Sequence, residues 1–372
     1  MAIRVLHLSG SKHFWSGNEQ QLVDLIESFP EGAVENHIFC YEDSAIADYA
    51  KHHGIYYHPQ KRLSQWSPAL AKQLKRCVQE QHIDLLHCHT SNYLSLFTMS
   101  RRLCGLKAPL IFTRKAFIKA PNLLRHIKYN DKGITAYTTD AKAIQKDLQR
   151  HLKFKNWDKI HVIYDGINID RDELGSRQDL RTAYNISTKY LVGSIANHVD
   201  DKDLPTLIRT FDYLKNELHR DDVSLVQMGA FTECTDQLKA MISDLGLEDT
   251  VILLGQTPNA KEFMPQFDAL IMTSQQEALP LTVYEAYYYR TPLVTTNAGG
   301  IPELVTDGVT GLMSDVGDYK DLANKLNLLL QDNYTEARSQ MIEHAHNVMV
   351  NNYTSRSSAK QMLQLYRAVI VK

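Results

Sequence analysis

The sequence predicts an α/β protein built from two Rossmann-like, doubly wound domains that face each other across a cleft. Short apolar runs alternate along the chain with segments that carry apolar residues at helical spacing. Several of the runs end in glycine or serine, as at Ser9-Gly10 and Gly229. The alternation restarts after a polar stretch at 165–185, and 372 residues are enough for two domains.

The first half begins with a predicted buried strand at 3–8, a loop that contains Gly17, and a helix whose apolar face ends at Phe29. Further strands are predicted at 37–41, 83–87, 110–113, 136–139 and 161–164, with a helix at 68–81. A strand, a glycine-bearing loop and a helix form the opening unit of a doubly wound sheet.

The second half carries predicted strands at 190–195, 223–228, 251–254, 269–272 and 293–296. Pro205 begins a helix, because a missing N–H costs nothing in the first turn. An amphipathic helix is predicted at 355–370. We predict one domain over 1–168 together with a returning segment at 352–372, and a second over 169–351. Ligands of such sheets bind beyond the carboxyl ends of the strands.

Composition disfavours a nucleic-acid partner and a disulfide framework. The chain has 41 basic and 43 acidic side chains, whereas nucleic-acid binders usually show a basic excess. Its five cysteines include no Cys-x-x-Cys pair, which favours a reducing compartment. The N-terminal apolar run is too short for a signal peptide, and no stretch approaches the roughly 18 apolar residues of a membrane span. We therefore expect a cytoplasmic protein.

The most informative segment is 274–311, in which seven residues separate Glu277 from Glu285. Pro280 stands between them and predicts a helix at 282–289, with Glu277 on the preceding loop. The N-terminus of that helix suits a diphosphate. A carboxylate such as Glu285 can accept both hydroxyls of a ribose. Two glutamates alone are a weak signal, so the rest of the chain has to supply the context.

Six segments, in order along the chain, resemble glycosyltransferase family 4, which has the two-domain GT-B architecture. They are Trp15–Glu19, Asp84–His89, His161–Asn168, Glu277–Ala286, Arg290–Glu303 and Asp307–Gly311. The resemblance implies a retaining glycosyltransferase that moves a sugar from a nucleotide-sugar, expected to be a UDP-sugar, to an acceptor. The expected acceptor is a growing cell-surface glycan such as lipopolysaccharide, capsule or a lipid-linked saccharide.

The same resemblance implies roles for individual residues. The second domain would bind the donor and the first domain the acceptor. Glu285 would hold the ribose, and Glu277 would contact the donor sugar as a catalytic residue. Backbone groups of Leu281 and Thr282 would approach the diphosphate, as would Gly17 from the first domain, since glycine lets a backbone come close.

The segment Ala196–Asp203 resembles the family's basic pair around the diphosphate. Lys202 is expected to stabilise the leaving group without a metal ion. Asn197 stands where many relatives carry arginine, and its amide keeps one hydrogen-bond donor at this donor-binding position. The nearby aspartates are typical of a solvated helix start, so we predict neither a metal nor a cofactor.

Two histidines and two cations are assigned to the first domain. His87 and His89 alternate at a strand end and should face opposite sides. The resemblance favours His89 as the catalytic residue near the donor sugar, with His87 packed inside. Arg114 and Lys115 stand where many relatives carry a histidine, which suggests an anionic acceptor. The alternative for Arg114 is that it caps the strand end.

Residues 101–132 hold nine basic side chains and one acidic one, with apolar residues interleaved. This stretch fits the inner leaflet of a membrane or a phosphorylated glycan, whereas the alternative is a solvated helical face.

Other enzymes of similar architecture fit less well. A phosphorylase needs a far longer chain, and a sugar-nucleotide epimerase normally lacks this glutamate spacing. A non-catalytic nucleotide-sugar-binding subunit would be favoured if His89 and Glu277 were missing, but both are present. A dinucleotide oxidoreductase needs Gly-x-Gly-x-x-Gly after the first strand, and no such motif follows Leu8.

Overall fold

A computed structural model describes residues 2–10, 15–119, 122–170 and 178–371 of the chain. The chain divides into two compact units, Met1–Asn168 with Thr354–Lys372, and Ile169–Tyr353. The predicted boundary region at 165–185 includes residues 171–177, which lie outside the described residues. Each unit is built on its own parallel sheet.

The first unit contains a seven-stranded parallel sheet in the order β3-β2-β1-β4-β5-β6-β7. Its strands are β1 Ile3–Leu8, β2 Val34–Tyr41, β3 Tyr56–Gln60, β4 Leu85–Cys88, β5 Leu110–Arg114, β6 Ile134–Thr139 and β7 Ile160–Val162. Its helices are α1 Gly17–Glu27, α2 Ala45–His52, α3 Pro68–Glu80, α4 Ser91–Cys104, α5 Leu123–Tyr129 and α6 Lys142–Gln149. The strand order reverses between β1 and β4, which places a ligand-binding crevice of the doubly wound type at their carboxyl ends.

The second unit contains a six-stranded parallel sheet in the order β10-β9-β8-β11-β12-β13. Its strands are β8 Tyr190–Ile195, β9 Val223–Met228, β10 Val251–Gly255, β11 Ala269–Met272, β12 Leu293–Thr296 and β13 Leu312–Ser314. Its helices are α7 Leu180–Ala183, α8 Leu204–Asn216, α9 Thr235–Asp244, α10 Leu281–Tyr288, α11 Tyr319–Leu329 and α12 Thr335–Asn352. Here the order reverses between β8 and β11.

The last helix, α13 Ser355–Ile370, belongs to the first unit. Its apolar face buries Met362, Tyr366 and Val369 against side chains from several strands of the first sheet, such as Val5 and Leu85. Burial of these side chains stabilises the docked helix by about 25 cal/mol per Å² of apolar surface. Thr354 caps its N-terminus by accepting from the Ser357 backbone N–H. Tyr366 of this helix also hydrogen-bonds His87 of β4 at 2.6 Å.

The predicted class, two doubly wound α/β domains, is confirmed. Gly17 is not in a loop, as predicted, but is the first residue of α1. The predicted strand at 83–87 is shifted to Leu85–Cys88, and the helix predicted at 282–289 begins one residue earlier. Two strands, β3 and β13, were not predicted from the sequence. Nor were the bounds of eight helices, namely α2, α4, α5, α6, α7, α9, α11 and α12. Among the described helices, none is long and apolar enough to cross a bilayer.

Candidate active site

The switch point of the second unit brings two predicted site residues into contact. Lys202 follows β8 in a short turn before α8, and Glu277 lies on the loop after β11. Their side chains form an ion pair and are 27% and 11% exposed respectively. Ser274 also donates to Glu277 Oε1 at 2.8 Å. The Lys202 ammonium and the Glu277 carboxylate are therefore oriented together at the edge of the sheet where ligands of this fold bind.

Backbone contacts hold these two loops against each other. Thr273 Oγ1 donates to the backbone oxygen of Lys202 at 3.1 Å, and the Gln275 N–H donates to the Asp201 oxygen at 2.9 Å. The predicted helix start is confirmed for Asp203, whose side chain caps α8 by accepting from the Thr206 N–H, but this side chain is buried and not solvated. These backbone contacts therefore help to fix the positions of Lys202 and Glu277 relative to each other.

The loop that carries Glu277 rests on a glycine turn after β12. The Gly300 N–H donates to the Glu277 backbone oxygen at 3.0 Å. Gly299 has a φ of +55°, and a Cβ at this position would lie 1.9 Å from the same oxygen. Only glycine fits both the left-handed backbone and the close approach. This explains physically why a glycine stands at position 299.

Helix α10 follows directly after the loop that carries Glu277. It begins at Leu281 after Pro280, and no side chain caps its N-terminus. The first backbone N–H groups of a helix lack intrahelical partners, so those of Leu281 and Thr282 are available to an anion. Both residues are partly exposed, and Glu285 lies one turn farther along the helix, also partly exposed. The predicted arrangement of loop, helix N-terminus and second glutamate is present.

Asn197 follows β8 and is exposed. Its Oδ1 accepts from the Ala230 backbone N–H at 2.8 Å, which leaves the amide NH₂ as the donor end. The side chain therefore braces the loop after β9 and does not replace the charge of an arginine. Its donor-binding role stays a prediction.

At the switch point of the first unit, three histidines form a cluster. His7 lies on β1 beside His87 of β4, and His89 follows that strand directly. His7 Nδ1 is 3.0 Å from His89 Nε2, and the His87 and His89 ring centroids are 4.0 Å apart. The prediction that His87 and His89 face opposite sides is wrong. Side chains two residues apart in an extended strand lie on the same face, so the alternation itself places both rings on one side.

Burial keeps these imidazoles neutral. It lowers the pKa of His7 to about 4, although the hydrogen bond to the Asn36 side chain raises it. Burial also lowers the pKa of His87 and His89 well below the usual 6.5, and the neighbouring histidines lower it further. His87 is fully buried and bonded to the Tyr366 hydroxyl, in agreement with its predicted packing role. Residue His89 as a whole is intermediate in burial.

The His89 ring lines a pocket with about 480 Å³ of empty space, part of it open to solvent. Lys115 lines the same pocket and pairs with Asp165 at 2.8 Å. Arg114 donates to the Phe117 backbone oxygen at 2.7 Å, which is a strand-end cap of the kind considered as the alternative. Gly17 is exposed at the start of α1. The acceptor-side role of the two cations stays a prediction.

Three neutral imidazoles are also potential ligands for a transition metal. Among the described residues, His7, His87 and His89 are the group whose candidate ligand atoms lie within 4.8 Å of one another. Both ring nitrogens of His87 are already 2.6 Å from hydroxyl groups, those of Tyr366 and Thr113. A metal ion bound by all three histidines would have to break one of these two contacts of His87.

Neither His7 nor Asn36 was predicted from the sequence to belong to the site. Asn36 Oδ1 lies 3.0 Å from His7 Nε2, and His7 in turn contacts His89. A polar residue inside the otherwise apolar run at 3–8 was the available signal. Which side chains this polar residue contacts depends on which strands are neighbours in the sheet.

Comparisons with known proteins agree with this architecture. The model for glycosyltransferase family 4 matches residues 15–171, and the model for glycosyl transferases group 1 matches residues 176–348. The chain is 24% identical to N-acetyl-alpha-D-glucosaminyl L-malate synthase of Bacillus anthracis, covering 85% of this chain and 84% of the relative. It is 28% identical to the lipopolysaccharide core biosynthesis glycosyltransferase LpsE of Rhizobium meliloti, covering 47% and 49% of the two chains.

A solved structure shares the fold over nearly the whole chain. Anabaena Alr3699/HepE in complex with UDP-glucose superposes with a TM-score of 0.83 at 21% identity, covering 98% of this chain and 100% of that chain. Together the two family models span most of the sequence, one for each unit. The chain belongs to glycosyltransferase family 4 and is a glycosyltransferase of the GT-B fold.

Proposed function

We propose that this chain is a retaining glycosyltransferase that uses a UDP-sugar and extends a cell-surface glycan without a metal ion. The relative named for lipopolysaccharide core biosynthesis supports the glycan class, and the structural neighbour in complex with UDP-glucose supports the uridine nucleotide. A lipopolysaccharide, capsular or lipid-linked saccharide acceptor is consistent with both.

The observation that carries the proposal is the Lys202–Glu277 ion pair beside the N-terminus of α10. A diphosphate at the helix terminus would gain the N–H groups of Leu281 and Thr282 and the charge of Lys202. Glu277 would then be released from the lysine to contact the donor sugar, while Glu285 would accept the ribose hydroxyls. Fixed positive groups of this kind stabilise the leaving group without a divalent cation.

In the proposed reaction, the acceptor oxygen bonds to the anomeric carbon on the face from which the diphosphate departs. The bond between the anomeric carbon and the diphosphate oxygen breaks, and its electron pair leaves with the diphosphate. The acceptor proton moves to a leaving phosphate oxygen. The protein contributes positioning and charge stabilisation, with His89 placed near the donor sugar.

The test is UDP release from UDP-glucose and from a panel of other UDP-sugars, followed by NMR of the anomeric centre of the product. We expect Glu277→Ala to lose at least about 100-fold in turnover, because the carboxylate contacts the reacting sugar. Glu336→Ala, on an exposed turn of α12, is the matched control and should keep full turnover. A fully active Glu277→Ala enzyme, or a product of inverted configuration, would contradict the proposal.

We also propose that α5 brings the enzyme to an anionic membrane surface. The side chains of Leu123, Leu124 and Ile127 are 74%, 63% and 36% exposed on one short helix. Part of the surrounding positive charge is already paired within the chain, since Arg101 and Arg102 both pair with Asp131. The surface around α5 is therefore apolar as well as basic, which suits a helix that lies in a membrane interface.

Flotation with phosphatidylglycerol-containing vesicles tests the membrane proposal. Leu124→Ser should reduce the bound fraction, since each leucine buried in the interface contributes about 1.5 kcal/mol or more. Leu328→Ser is the matched control, because Leu328 is also an exposed helical leucine but lies in the second unit. Equal binding by the two variants would refute a role for α5.

A further inference from the structure

A hydrogen-bonded chain crosses three neighbouring strands at the switch point of the first unit. Asn36 lies on β2, His7 on β1 and His89 just beyond β4. Asn36 Oδ1 is 3.0 Å from His7 Nε2, and His7 Nδ1 is 3.0 Å from His89 Nε2. The order β2-β1-β4 places the three side chains side by side. The hydrogen-bonded chain ends at His89, which lines the pocket of the first unit.

Each imidazole in the chain carries one ring proton near neutral pH. Burial lowers the pKa of His7 to about 4 and lowers that of His89 well below its usual value. A neutral imidazole has one N–H donor and one acceptor nitrogen. The bond at one nitrogen therefore determines what the other nitrogen can do.

The donors and acceptors follow in sequence from Asn36. Its Oδ1 can only accept, so His7 must donate from Nε2–H. His7 Nδ1 is then an acceptor, and His89 must donate to it from Nε2–H. The remaining nitrogen of His89, Nδ1, is left with a lone pair. We propose that Asn36 and His7 are positioning residues that fix His89 in this tautomer, so that its Nδ1 accepts a hydrogen bond from a substrate hydroxyl.

This inference rests on the proposed function, which places His89 near the donor sugar. With the opposite chain direction, His89 would present Nδ1–H and would repel the proton of a hydroxyl donor. The metal-site alternative uses the same nitrogens, but His87 has both of its nitrogens engaged by Tyr366 and Thr113. The hydrogen-bonded chain needs no such rearrangement, and we favour it for that reason.

Long-range ¹H–¹⁵N NMR of histidine-labelled full-length protein reads the tautomer directly and needs no substrate. The His89 signals are assigned by their loss in His89→Gln. In the wild type we expect the His89 proton on Nε2. In Asn36→Leu the acceptor is gone, and a buried His7 Nε2–H without a partner is disfavoured by about tenfold or more. His7 should then move its proton to Nδ1 and donate to His89, which reverses the His89 tautomer.

Kinetics with UDP-glucose supply the second measurement. Asn36→Leu should lower kcat about tenfold while KM stays within about twofold, since the tautomer affects the reacting complex more than donor affinity. Asn36→Asp restores an acceptor at the same position and should restore the wild-type tautomer at about pH 8.5, above the usual range for a histidine beside a carboxylate. It also serves as the readout if Asn36→Leu does not fold.

Glu35→Gln is the matched control. Glu35 precedes Asn36 on β2 and accepts from a different histidine, His37, at 2.9 Å. It should change neither the His89 tautomer nor kcat. A wild-type His89 protonated on Nδ1, or a tautomer unchanged in Asn36→Leu, would overturn the proposal. A reversed tautomer with full kcat would overturn the positioning role. Full turnover by His89→Gln would instead overturn the catalytic assignment of His89 in the proposed function and leave the tautomer result standing.

Discussion

Replacing Gly299 by alanine tests whether the glycine turn after β12 holds Glu277 in place. A Cβ at Gly299 would lie 1.9 Å from the Glu277 backbone oxygen and 3.0 Å from its carbonyl carbon. Ordinary contacts of a Cβ begin near 3.4 Å, so the Glu277 backbone has to move by more than an ångström. Such a shift also breaks the hydrogen bond from the Gly300 N–H.

The energetic cost has two parts. A left-handed φ of +55° costs a residue with a Cβ about 1–2 kcal/mol. The lost backbone hydrogen bond costs roughly 1 kcal/mol more. We therefore expect the free energy of unfolding to fall by about 2–3 kcal/mol. Turnover should fall more steeply, because a misplacement of about 1 Å at a reacting group can cost about 100-fold.

Urea unfolding and UDP release from UDP-glucose measure the two effects in one preparation. Gly317→Ala is the control, since Gly317 has a φ of +80° but no atom within 4 Å of the added Cβ. Its free energy of unfolding should fall only by about 1–2 kcal/mol, the cost of the left-handed backbone, and its turnover should stay unchanged. If both variants were equally destabilised and equally active, the contact between Gly299 and Glu277 would not position the site.

Three further predictions concern charge and protonation. Lys202→Ala should lower turnover by about 100-fold with little change in Tm, because its partly exposed ion pair contributes little to stability; wild-type turnover would contradict this. Glu285→Ala should raise the donor KM about tenfold with kcat nearly unchanged, and an unchanged KM would rule out the ribose contact. Acidification should destabilise the fold, because unfolded His7 binds a proton below its usual pKa of 6.5 and folded His7 does so only near 4. Between these pH values the free energy of unfolding should fall by roughly 3 kcal/mol from this residue alone, and His7→Gln should show a shallower fall by urea titration.

Local sequence patterns predicted what depends on neighbours along the chain. The apolar runs located the central strands, since burial on both faces of a parallel sheet demands continuous apolar residues. The spacing around Pro280 placed Glu277 on a loop and Glu285 one turn into a helix, and α10 begins within one residue of the prediction. A few consecutive residues are enough to determine each of these features.

Long-range contacts could not be predicted in the same way. Lys202 and Glu277 were singled out separately, but their pairing depends on β8 and β11 being neighbours across 75 residues. Lys115 was predicted on the acceptor side, and its pairing with Asp165 of the same chain could not be foreseen from the charge pattern. A charge pattern shows how many cations a segment holds and not which of them the fold neutralises.

The sequence by itself determined the fold class, the family and the two-glutamate segment, because each is encoded by short-range periodicity and by motifs in a fixed order. Only the tertiary structure decided that His7 joins His87 and His89 in one cluster, and that Asn36 continues the hydrogen bonds on the other side of His7. The physical reason is that strand order and strand ends determine which side chains meet, and both are settled by packing across the whole sheet.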